Sequence, residues 1–420
     1  MTVDRQTAAP EQADIVIVGG GMVGVTLGLC LAQQLPQRRV VLLEQATLPA
    51  VQPGQPLPYA ATFDARNTAL SRRTIQAFTD LGLWQRLQPH ATPIRHIHVS
   101  DRGHFGFARL NAEDEQVESF GQVIENAWLG VVLLAALRDC PSVSVRDGVS
   151  VTGLTREPER ITVRGRQGDA ELVIQAPLLI AADGTGSPCR DWLGLGARRH
   201  DYTQTALVTT VATSLPHAQV AYERFSAQGP IALLPLPDLP GEPVQTRRSL
   251  VWALPPADAE RMMALDDAAF LQALQTAFGG RAGRFRRVGR RQAWPLQLMV
   301  ADQQVVPRAV VLGNAAHSLH PVAGQGFNLC LRDILVLVQE LVAADAAGQD
   351  PGDLSLLRRY EQMRLEDQRQ IIRFSDTLVR GFSTSNPLLA VLRNAGLVGF
   401  DLLPGAKPAL ARYAMGLSHV

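Results

Sequence analysis

A strand, a glycine-rich turn and a helix near the start of the chain constrain its fold more than any other feature. Asp14–Val18 has the apolar character of a buried strand, and Gly19-Gly20-Gly21-Met22-Val23-Gly24 follows it directly. An apolar helix is expected from there to about Leu35, and then a second strand, Arg39–Leu43, which ends in Glu44. A β-α-β unit of this kind predicts a parallel sheet with the glycine turn at the carboxyl end of its first strand.

The spacing of these glycines indicates a dinucleotide site. Gly19 makes the tight turn, Gly21 lets a pyrophosphate approach the backbone, and Gly24 allows the helix to pack closely on the strand. Glu44, twenty residues after Gly24, suits the hydroxyls of an adenosine ribose. The bland alternative is a glycine turn without a ligand. The fingerprint occurs once, so one bound dinucleotide is expected, and a second nucleotide would visit without a Rossmann unit of its own.

A second glycine-rich stretch lies far along the chain. It begins as a buried strand at Ala309–Leu312, turns at Gly313-Asn314 and passes through His320-Pro321. Gly324-Gln325-Gly326 follows, and an amphipathic pattern starts near Asn328. The order of strand, glycine turn and helix start predicts an anion site, because the first turn of a helix offers unpaired N–H groups and a partial positive charge.

A third stretch repeats the theme between the other two. The apolar strand Leu178–Ala182 runs into Asp183-Gly184, and the segment continues through Ser187 to Arg190. An aspartate at the carboxyl end of a buried strand lies where open α/β sheets bind their ligands. Capping of the following helix is a second role for the same carboxylate.

These three stretches resemble the fingerprints of class A flavoprotein monooxygenases of the p-hydroxybenzoate hydroxylase type. The wording of residues 310–333, and of HVSDRGHFGFARL at 98–110, is most similar to the ubiquinone-biosynthesis hydroxylases, in particular the 2-octaprenyl-6-methoxyphenol hydroxylase branch. The family has Asp where this chain has Asn314, which still provides a hydrogen-bonding group for a ribityl hydroxyl. The resemblance extends from about residue 12 to residue 417.

The resemblance implies FAD as the bound dinucleotide. It places Arg66 near the flavin, although a solvated arginine is the ordinary alternative, and it places Gln122 near the isoalloxazine or the ribityl chain, although capping of the next helix is equally ordinary. The helix that begins near Gly326 would direct its positive end at the pyrimidine edge of the flavin. The expected FAD-binding residues are Gly19, Gly21, Gly24, Glu44, Arg66, Gln122, Asp183, Gly184, Asn314, Pro321, Gly324, Gly326, Phe327 and Asn328.

The activity implied by the resemblance is hydroxylation of a polyprenylated phenol in ubiquinone biosynthesis. FAD would be reduced by NADH or NADPH, O₂ would form a C4a-hydroperoxyflavin, and the protein would supply positioning and exclusion of water. His317 and His320 are the nearest titratable side chains to the expected flavin site. His320 is the candidate base for the phenol, and hydrogen-bonded anchoring of the loop is the alternative role for both histidines.

The predicted architecture is α/β, with a Rossmann-like FAD-binding fold, an inserted antiparallel-sheet substrate domain and a helical C-terminal region. The FAD-binding domain is expected at residues 12–200 and 295–345, and the substrate domain at 201–294 with contributions from 90–120. Residues 346–420 form the helical region, which would pack on the body or touch a lipid surface.

Several local elements are expected within this frame. The segment Asp64–Leu70 should lead into a helix that ends near Leu81, and Val143–Arg146 should join an antiparallel accessory sheet with the strands that follow it. Phe225, Leu233, Leu234, Pro235 and Trp252 would line a prenyl pocket or form plain sheet core.

The charge composition limits the classes of binding partner that are expected. Forty basic against 39 acidic residues give a net charge of +1, so no polyanion is required, and nucleic acid is not expected. Six arginines between Arg281 and Arg291 form a solvated face, or steer NAD(P)H phosphates, or dock on an anionic membrane. His96, His98 and His104 lack further ligands for a metal.

The expected location is the cytoplasm, with peripheral contact to the inner membrane as an option. Four cysteines without metal spacing suit a reducing compartment, and we find neither a signal peptide nor a run of about 18 apolar residues.

Three functions remain open from the sequence. The first is the aromatic hydroxylase, with a polyprenyl phenol and O₂ as substrates and a ubiquinone-biosynthesis multiprotein complex as a candidate partner. The second is another FAD enzyme of the same fold, such as an isoprenoid reductase. The third is a non-catalytic FAD-binding scaffold subunit of a quinone-synthesis complex, which the Asn314 departure favours.

Overall fold

A computed structural model describes residues 10–51, 57–64, 66–101, 107–226, 228–239, 241, 243–319 and 325–382. The strands in chain order are β1 Glu11–Gln12, β2 Ile15–Val18, β3 Val40–Leu43, β4 Asn67–Ser71, β5 Ala91–Ile94, β6 His96–Asp101, β7 Phe107–Asn111, β8 Gly121–Glu125, β9 Val143–Arg146, β10 Val149–Arg156, β11 Ile161–Gln167, β12 Ala170–Ala176, β13 Leu178–Ala181, β14 Ala197–Thr213, β15 Val220–Phe225, β16 Ile231–Pro235, β17 Arg247–Leu254, β18 Phe285–Val288, β19 Gln292–Ala301, β20 Val305–Val306, β21 Ala309–Val311 and β22 His317–Ser318. The helices are α1 Met22–Gln34, α2 Arg72–Asp80, α3 Trp84–Leu87, α4 Asn126–Arg138, α5 Pro188–Trp192, α6 Pro256–Ala264, α7 Asp267–Phe278, α8 Gln325–Ala346 and α9 Leu354–Phe382.

A six-stranded sheet in the order β20-β21-β13-β2-β3-β9 forms the centre of the FAD-binding half. Every neighbouring pair from β21 to β9 is parallel, and every residue of β2, β3, β13 and β21 is buried. Strands covered on both faces must be apolar throughout, which explains why these four segments lack alternation. One face carries a helical layer that includes α1, α4 and α8, and the other carries the sheet of β1 and β10–β12. The predicted fold class is confirmed.

The prediction for Val143–Arg146 is wrong. This segment, β9, pairs in parallel with β3 at the edge of the central sheet, while β10, β11 and β12 form the antiparallel accessory sheet without it. Its Val-Ser-Val-Arg alternation suits an edge strand of either sheet, so the pattern alone did not distinguish them.

The helix predicted to follow Asp64–Leu70 is present as α2, but part of that segment is itself a strand. Residues Asn67–Ser71 are the strand β4, which pairs with β8, and the helix begins only at Arg72. Ser71 caps it, with its hydroxyl accepting from the backbone N–H of Thr74. Three strands, β4, β8 and β5, make a small sheet that belongs to the FAD-binding half.

A nine-stranded sheet forms the second half, in the order β22-β19-β14-β17-β16-β15-β6-β7 with β18 paired to β14. One of its faces is covered by α6 and α7, and Leu207, Leu233 and Trp252 point into that cluster. On the opposite face Ala221 and Leu234 pack against Val123 of β8, so this face is turned toward the FAD-binding half. Alternation along each strand decides which side chains go to which face.

The predicted domain boundaries at residues 200 and 295 fall inside two long strands. Strands β14 and β19 pair from Ala197↔Ala301 to Val208↔Gln292, across both positions. The division into folding units at those positions stays a prediction.

Helix α9 packs along α8 in the part of the C-terminal region that the structure describes. The part of the predicted helical region beyond residue 382 lies outside the described residues. Among the described helices, none has both the length and the apolar composition that a bilayer crossing requires.

A buried ion pair joins the two halves. Arg247 of β17 donates to Glu125 of β8 at 2.6 Å, and the Tyr59 hydroxyl donates to the second oxygen of the same carboxylate at 2.6 Å. Arg247 also donates to the carbonyl oxygens of Thr62 and Phe63. Both charged side chains are almost fully buried, so each depends on the other for compensation.

We therefore predict that Arg247→Met destabilises the fold by about 3–5 kcal/mol, because Glu125 keeps a buried charge without its cation. Urea denaturation measures this loss. The control is Arg198→Met, whose pair with Asp302 is largely exposed and should change the free energy of unfolding by at most about 1 kcal/mol. Equal effects from the two variants would contradict the assigned role of the buried pair.

Candidate active site

The carboxyl ends of four parallel strands meet at one edge of the central sheet. The Gly19 N–H donates to the carbonyl of Leu43 at 2.8 Å, and Ala182 N–H donates to Val18 at 2.7 Å. Leu312 N–H donates to Ala181 at 2.8 Å. The three predicted fingerprints, which begin just after β2, β13 and β21, therefore lie side by side at the edge where open α/β sheets bind ligands.

Glycines permit this close approach. Gly19 has φ +111°, and a Cβ there would lie 2.4 Å from the carbonyl oxygen of Ala182. A Cβ on Gly24 would lie 1.9 Å from the carbonyl oxygen of Gly19, and one on Gly313 would lie 2.9 Å from Val23 Cγ1. Gly19 thus packs the loop after β2 against the loop after β13, and Gly24 packs the start of α1 on the first of these loops. Gly313 packs the turn after β21 onto the start of α1.

Other glycines in the same fingerprints leave space. A Cβ on Gly21, Gly184 or Gly326 would meet no heavy atom of the described chain within 4 Å. Gly21 is the N-cap of α1, and no described side chain caps that helix or places an acid in its first turn. Unpaired N–H groups and the positive end of the helix dipole therefore face an open position, which fits the pyrophosphate of FAD.

Glu44 is held beside the glycine loop by the backbone. Its two carboxylate oxygens accept from the N–H of Gly20 at 2.5 Å and from the N–H of Ala46 at 2.8 Å. Each oxygen keeps a further lone pair, and this fixed acceptor fits ribose hydroxyls.

Asp183 has one carboxylate oxygen in use. The Cys189 N–H donates to Oδ2 at 3.1 Å, while Oδ1 is buried and has no hydrogen-bond partner among the described residues. A buried oxygen without a donor is costly. A hydroxyl of bound FAD would supply that donor, so the residues present fit the cofactor.

Arg190 joins two of the fingerprints. It is buried, and its guanidinium donates to the carbonyls of Thr185 and Ala315, each at 3.1 Å. These contacts connect the loop after β13 with the turn after β21. The family's pattern pointed to Arg190, but its bridging role required the tertiary structure.

The FAD-binding residues predicted in the turn after β21 and at the start of α8 differ in their exposure to solvent. Asn314 is exposed in the short turn Gly313–Ala315, open to a ligand at the sheet edge. Gly326, Phe327 and Asn328 lie in the first turn of α8. Phe327 is buried and stacks on Phe78 with ring centroids 6.2 Å apart.

The Asn328 side chain is occupied by the protein. Its Oδ1 accepts from Ser71 N–H at 2.9 Å and from the Thr74 hydroxyl at 2.7 Å, and its Nδ2 donates to the carbonyl of Ala69 at 2.9 Å. Asn328 therefore ties the start of α8 to β4 and α2. Only its backbone remains available for the predicted contact with FAD.

Arg66 directly precedes the small sheet, and Gln122 lies within its central strand. Arg66 is exposed, immediately before β4, and Gln122 is half-buried in β8 opposite Leu70. The strand β4 is the one that Asn328 binds, so Gln122 lies close to the start of α8. The predicted residues His320, Pro321 and Gly324 lie outside the described residues.

The histidines of the β6–β7 hairpin have protein partners. His96 Nδ1 is 3.1 Å from Asn111 Oδ1, and Arg281 donates to His98 Nε2 at 2.6 Å. Burial and the nearby charges of Arg281 and Arg109 lower the pKa of His98 to about 4. His104 lies outside the described residues.

His317 is fully buried, and its Nε2 lies 2.5 Å from Asp333 Oδ2 in α8. Asp333 Oδ1 accepts from Arg364 at 2.6 Å and from Gln368 at 2.9 Å, both in α9. Burial acts to raise the pKa of Asp333, but His317 and Arg364 outweigh it, and the pKa lies below its ordinary value. His317 therefore anchors the loop after β21 to two helices. The sequence signal was a lone acid, Asp333, within the apolar face of α8.

A family described as "FAD binding domain" matches residues 12–375. The chain is 34% identical to the ubiquinone hydroxylase UbiL of Rhodospirillum rubrum, over 97% of this chain and 91% of that protein. It is 31% identical to the 3-demethoxyubiquinol 3-hydroxylase of Escherichia coli, over 97% of this chain and 99% of that protein. The p-nitrophenol 4-monooxygenase PnpA of Pseudomonas putida has the same fold, with a TM-score of 0.75 at 18% identity and coverage of 97% and 99%.

We predict that Gly21→Ala weakens FAD binding about tenfold or more while the protein stays folded. A methyl group there meets open space in the protein but intrudes on a phosphate contact, and hydrogen bonds to charged groups contribute about 1.5–3 kcal/mol. Titration of the apoprotein with FAD measures the change. Gly130→Ala, in α4 with equally open space, should leave the affinity unaltered, and a matching loss there would contradict the prediction.

We also predict that Asp333→Asn destabilises the protein by about 3–5 kcal/mol at pH 7, because it breaks the buried pairs with His317 and Arg364. The folded pKa of Asp333 is depressed, so its stabilisation is present above the unfolded pKa of about 3.9 and is lost as the pH falls through the folded value. The gap to wild type in urea unfolding should narrow below about pH 4. Glu157→Gln, in a partly exposed pair with Arg160, serves as control. A gap that does not depend on pH would refute the prediction.

The matched residues span all three fingerprints, and the geometry of those fingerprints fits one dinucleotide. FAD is the cofactor, and the protein is an FAD-dependent monooxygenase. The chain belongs to the ubiquinone-biosynthesis hydroxylase family of class A FAD-dependent monooxygenases.

Proposed function

We propose that this protein hydroxylates a polyprenylated phenol in ubiquinone biosynthesis, using NAD(P)H and O₂. The observation that carries this proposal is a half-buried apolar surface on the nine-stranded sheet, on the side turned toward the FAD-binding half. We call it the chamber face and define it by Val208, Ala232, Leu234 and Val251. The names of the relatives UbiL and 3-demethoxyubiquinol 3-hydroxylase support the same substrate class.

Sheet register supports the chamber face as a substrate surface. Val208 is opposite Val251, and Val251 is opposite Ala232, so the three side chains stand on one face in a row. All are half-buried, whereas Leu233 and Trp252, which point the other way, are almost fully buried under α6 and α7. An apolar surface left partly open beside a cofactor site suits a ring with a hydrocarbon tail.

This division sorts the residues that the sequence suggested for a prenyl pocket. Leu234 belongs to the chamber face, while Leu233 and Trp252 form core beneath it. Phe225 is almost fully buried. The pocket we propose therefore uses small and medium aliphatic side chains instead of the aromatic ones.

The cofactor, when bound, supplies the redox chemistry by accepting hydride from NAD(P)H and activating O₂. The protein's own groups bind and orient it: the N–H groups at Gly21 hold the pyrophosphate, Glu44 the ribose, and Asp183 a hydroxyl. The positive end of α8 stabilises negative charge nearby by roughly 1–2 kcal/mol. The apolar chamber face excludes water, which protects a reactive oxygen species from wasteful decay.

The remaining features of the proposal concern the ring position and the surroundings. The 98–110 segment resembles the 2-octaprenyl-6-methoxyphenol hydroxylase branch, so we infer hydroxylation of that type of ring. A substrate with a prenyl tail is stored in a lipid phase, so peripheral contact with the inner membrane and membership of a ubiquinone-biosynthesis complex follow as proposals. Exposed arginines, such as Arg284, Arg286 and Arg290, are candidates for the anionic membrane contact.

The test is turnover of 2-prenylphenols of increasing chain length by the FAD-loaded protein, with NADH and with NADPH. We expect phenol-dependent O₂ uptake and a product that carries one added oxygen atom, identified by mass spectrometry. Val251→Phe, which fills the chamber face, should lower kcat/KM by about tenfold or more. Val244→Phe, at an exposed loop position, is the matched control.

Each other outcome favours a different function. Reduction of the substrate without oxygen insertion would indicate an isoprenoid reductase. Bound FAD with no turnover of any prenylphenol would indicate a scaffold subunit. An unchanged kcat/KM in Val251→Phe would remove the chamber face as the substrate surface even if hydroxylation occurs.

A further inference from the structure

Glu223 stands on the chamber face. It lies in β15 opposite Ala232 of β16 on one side and opposite Val99 of β6 on the other. Ala232 is in turn opposite Val251, so the register puts the four side chains in one row on one face. The row is apolar apart from Glu223.

Its neighbours along the strand give the same direction. Tyr222 packs edge-on against Phe278 of α7, with ring centroids 5.7 Å apart, so it points to the helix-covered face. Ala221 packs with Val123 of β8, in the FAD-binding half. Because side chains alternate along a strand, Glu223 points with Ala221 toward the FAD-binding half.

One oxygen of the Glu223 carboxyl group is left without a partner in the described part of the chain. Its Oε1 is buried and has no hydrogen bond to any described residue. Burial raises the pKa of Glu223 to about 7. A buried carboxyl without a donor costs stability, and a ligand hydroxyl in the chamber would supply the donor.

The other charged groups that the structure describes near this face either have partners or point away from it. Arg247 and Glu125 also lie between the two halves, but they neutralise each other in their buried pair. Asp101, opposite Phe225 on β6, is buried and has its own partner. His98 and Arg109 are opposite each other on β6 and β7, and they face the other way, with Tyr222.

We propose that the Glu223 carboxylate binds the hydroxyl of the phenol substrate and accepts its proton during hydroxylation; this rests on the proposed function. In that step the phenol O–H bond breaks and a bond forms between the proton and a carboxylate oxygen. The electron pair stays on the phenol oxygen, which makes the ring carbon a better nucleophile. The step moves one proton and needs no oxidant.

The acidities suit this role. A phenol has a pKa of about 10, so a base with a pKa near 7 holds the resting substrate as a hydrogen-bonded phenol. The proton moves as attack on the ring acidifies the hydroxyl. A base whose pKa lies near the working pH balances availability and strength. His317 Nε2 is occupied by Asp333, and we assign the acceptor role to Glu223, whose Oε1 is buried without a partner among the described residues.

The first measurement is binding without turnover. 2-(3-Methylbut-2-enyl)phenol is titrated into the oxidised, FAD-loaded protein without reductant, from about pH 5.5 to about pH 8.5. The wild-type Kd should fall by about tenfold as the pH rises through about 7, because only the carboxylate accepts a charge-assisted hydrogen bond. In Glu223→Gln the Kd should not change with pH, while Glu223→Asp should keep a step.

The second measurement is turnover over the same pH range. The kcat of the wild type should rise with pH as Glu223 deprotonates. In Glu223→Gln this rise should be absent, and kcat should be lower by about a hundredfold or more. Glu223→Asp should retain the rise of kcat with pH, at a lower kcat than the wild type. Glu260→Gln, an exposed position on α6, should match the wild type, and FAD content is measured for every variant.

The outcomes separate the two proposals. If the wild type makes no hydroxylated product, the proposed function fails. If the wild type does hydroxylate, the role of Glu223 is overturned by FAD-loaded Glu223→Gln with kcat within about twofold of wild type. It is equally overturned if neither the Kd nor the kcat of the wild type changes with pH near pH 7. That result does not depend on whether any variant folds.

Discussion

The close approach of the strand ends is the constraint on which the rest of the structure depends. Gly19 lies so near Ala182, and Gly24 so near Gly19, that a single added carbon at either glycine would overlap a carbonyl oxygen. This contact sets the loop after β2 against the loop after β13. Because parallel strands share one carboxyl edge, the dipole of α1, the acceptor Glu44 and the acceptor Asp183 then surround one space. The cofactor site is thus a consequence of backbone packing.

Buried hydrogen bonds and ion pairs fix the relative positions of loops and helices that the glycine contacts do not determine. Arg190 connects the loops after β13 and β21, and His317 with Asp333 connects the second of these loops to α8 and α9. Arg247 with Glu125 holds the sheet of the second half against the first. Such pairs add little net stability when complete, but they penalise any arrangement that separates the partners. They therefore specify geometry around the cofactor and the chamber face.

Among the described residues, Asp183 and Glu223 each keep one buried carboxyl oxygen without a donor, and both border the proposed ligand space. Asp183 keeps an unpaired oxygen on the cofactor side, and Glu223 keeps one on the chamber face. Elsewhere the buried acids Glu125 and Asp333 are fully paired. A buried carboxyl oxygen without a hydrogen-bond donor destabilises the folded protein. We therefore expect the unpaired oxygens of Asp183 and Glu223 to accept hydrogen bonds from ligands.

The sequence by itself determined the local units: the glycine fingerprints, the buried strands and the parallel order that brings Gly21, Glu44 and Asp183 to one edge. These follow from spacing and hydrophobic pattern, which act over a few residues. Tertiary structure alone decided that the Asn328 side chain binds Ala69 and not a ligand, and that β9 joins the central sheet. It also decided that Glu223 faces the chamber. Partners far apart in the chain decide such features, and a one-residue change of register would turn Glu223 to the other face without altering the local pattern.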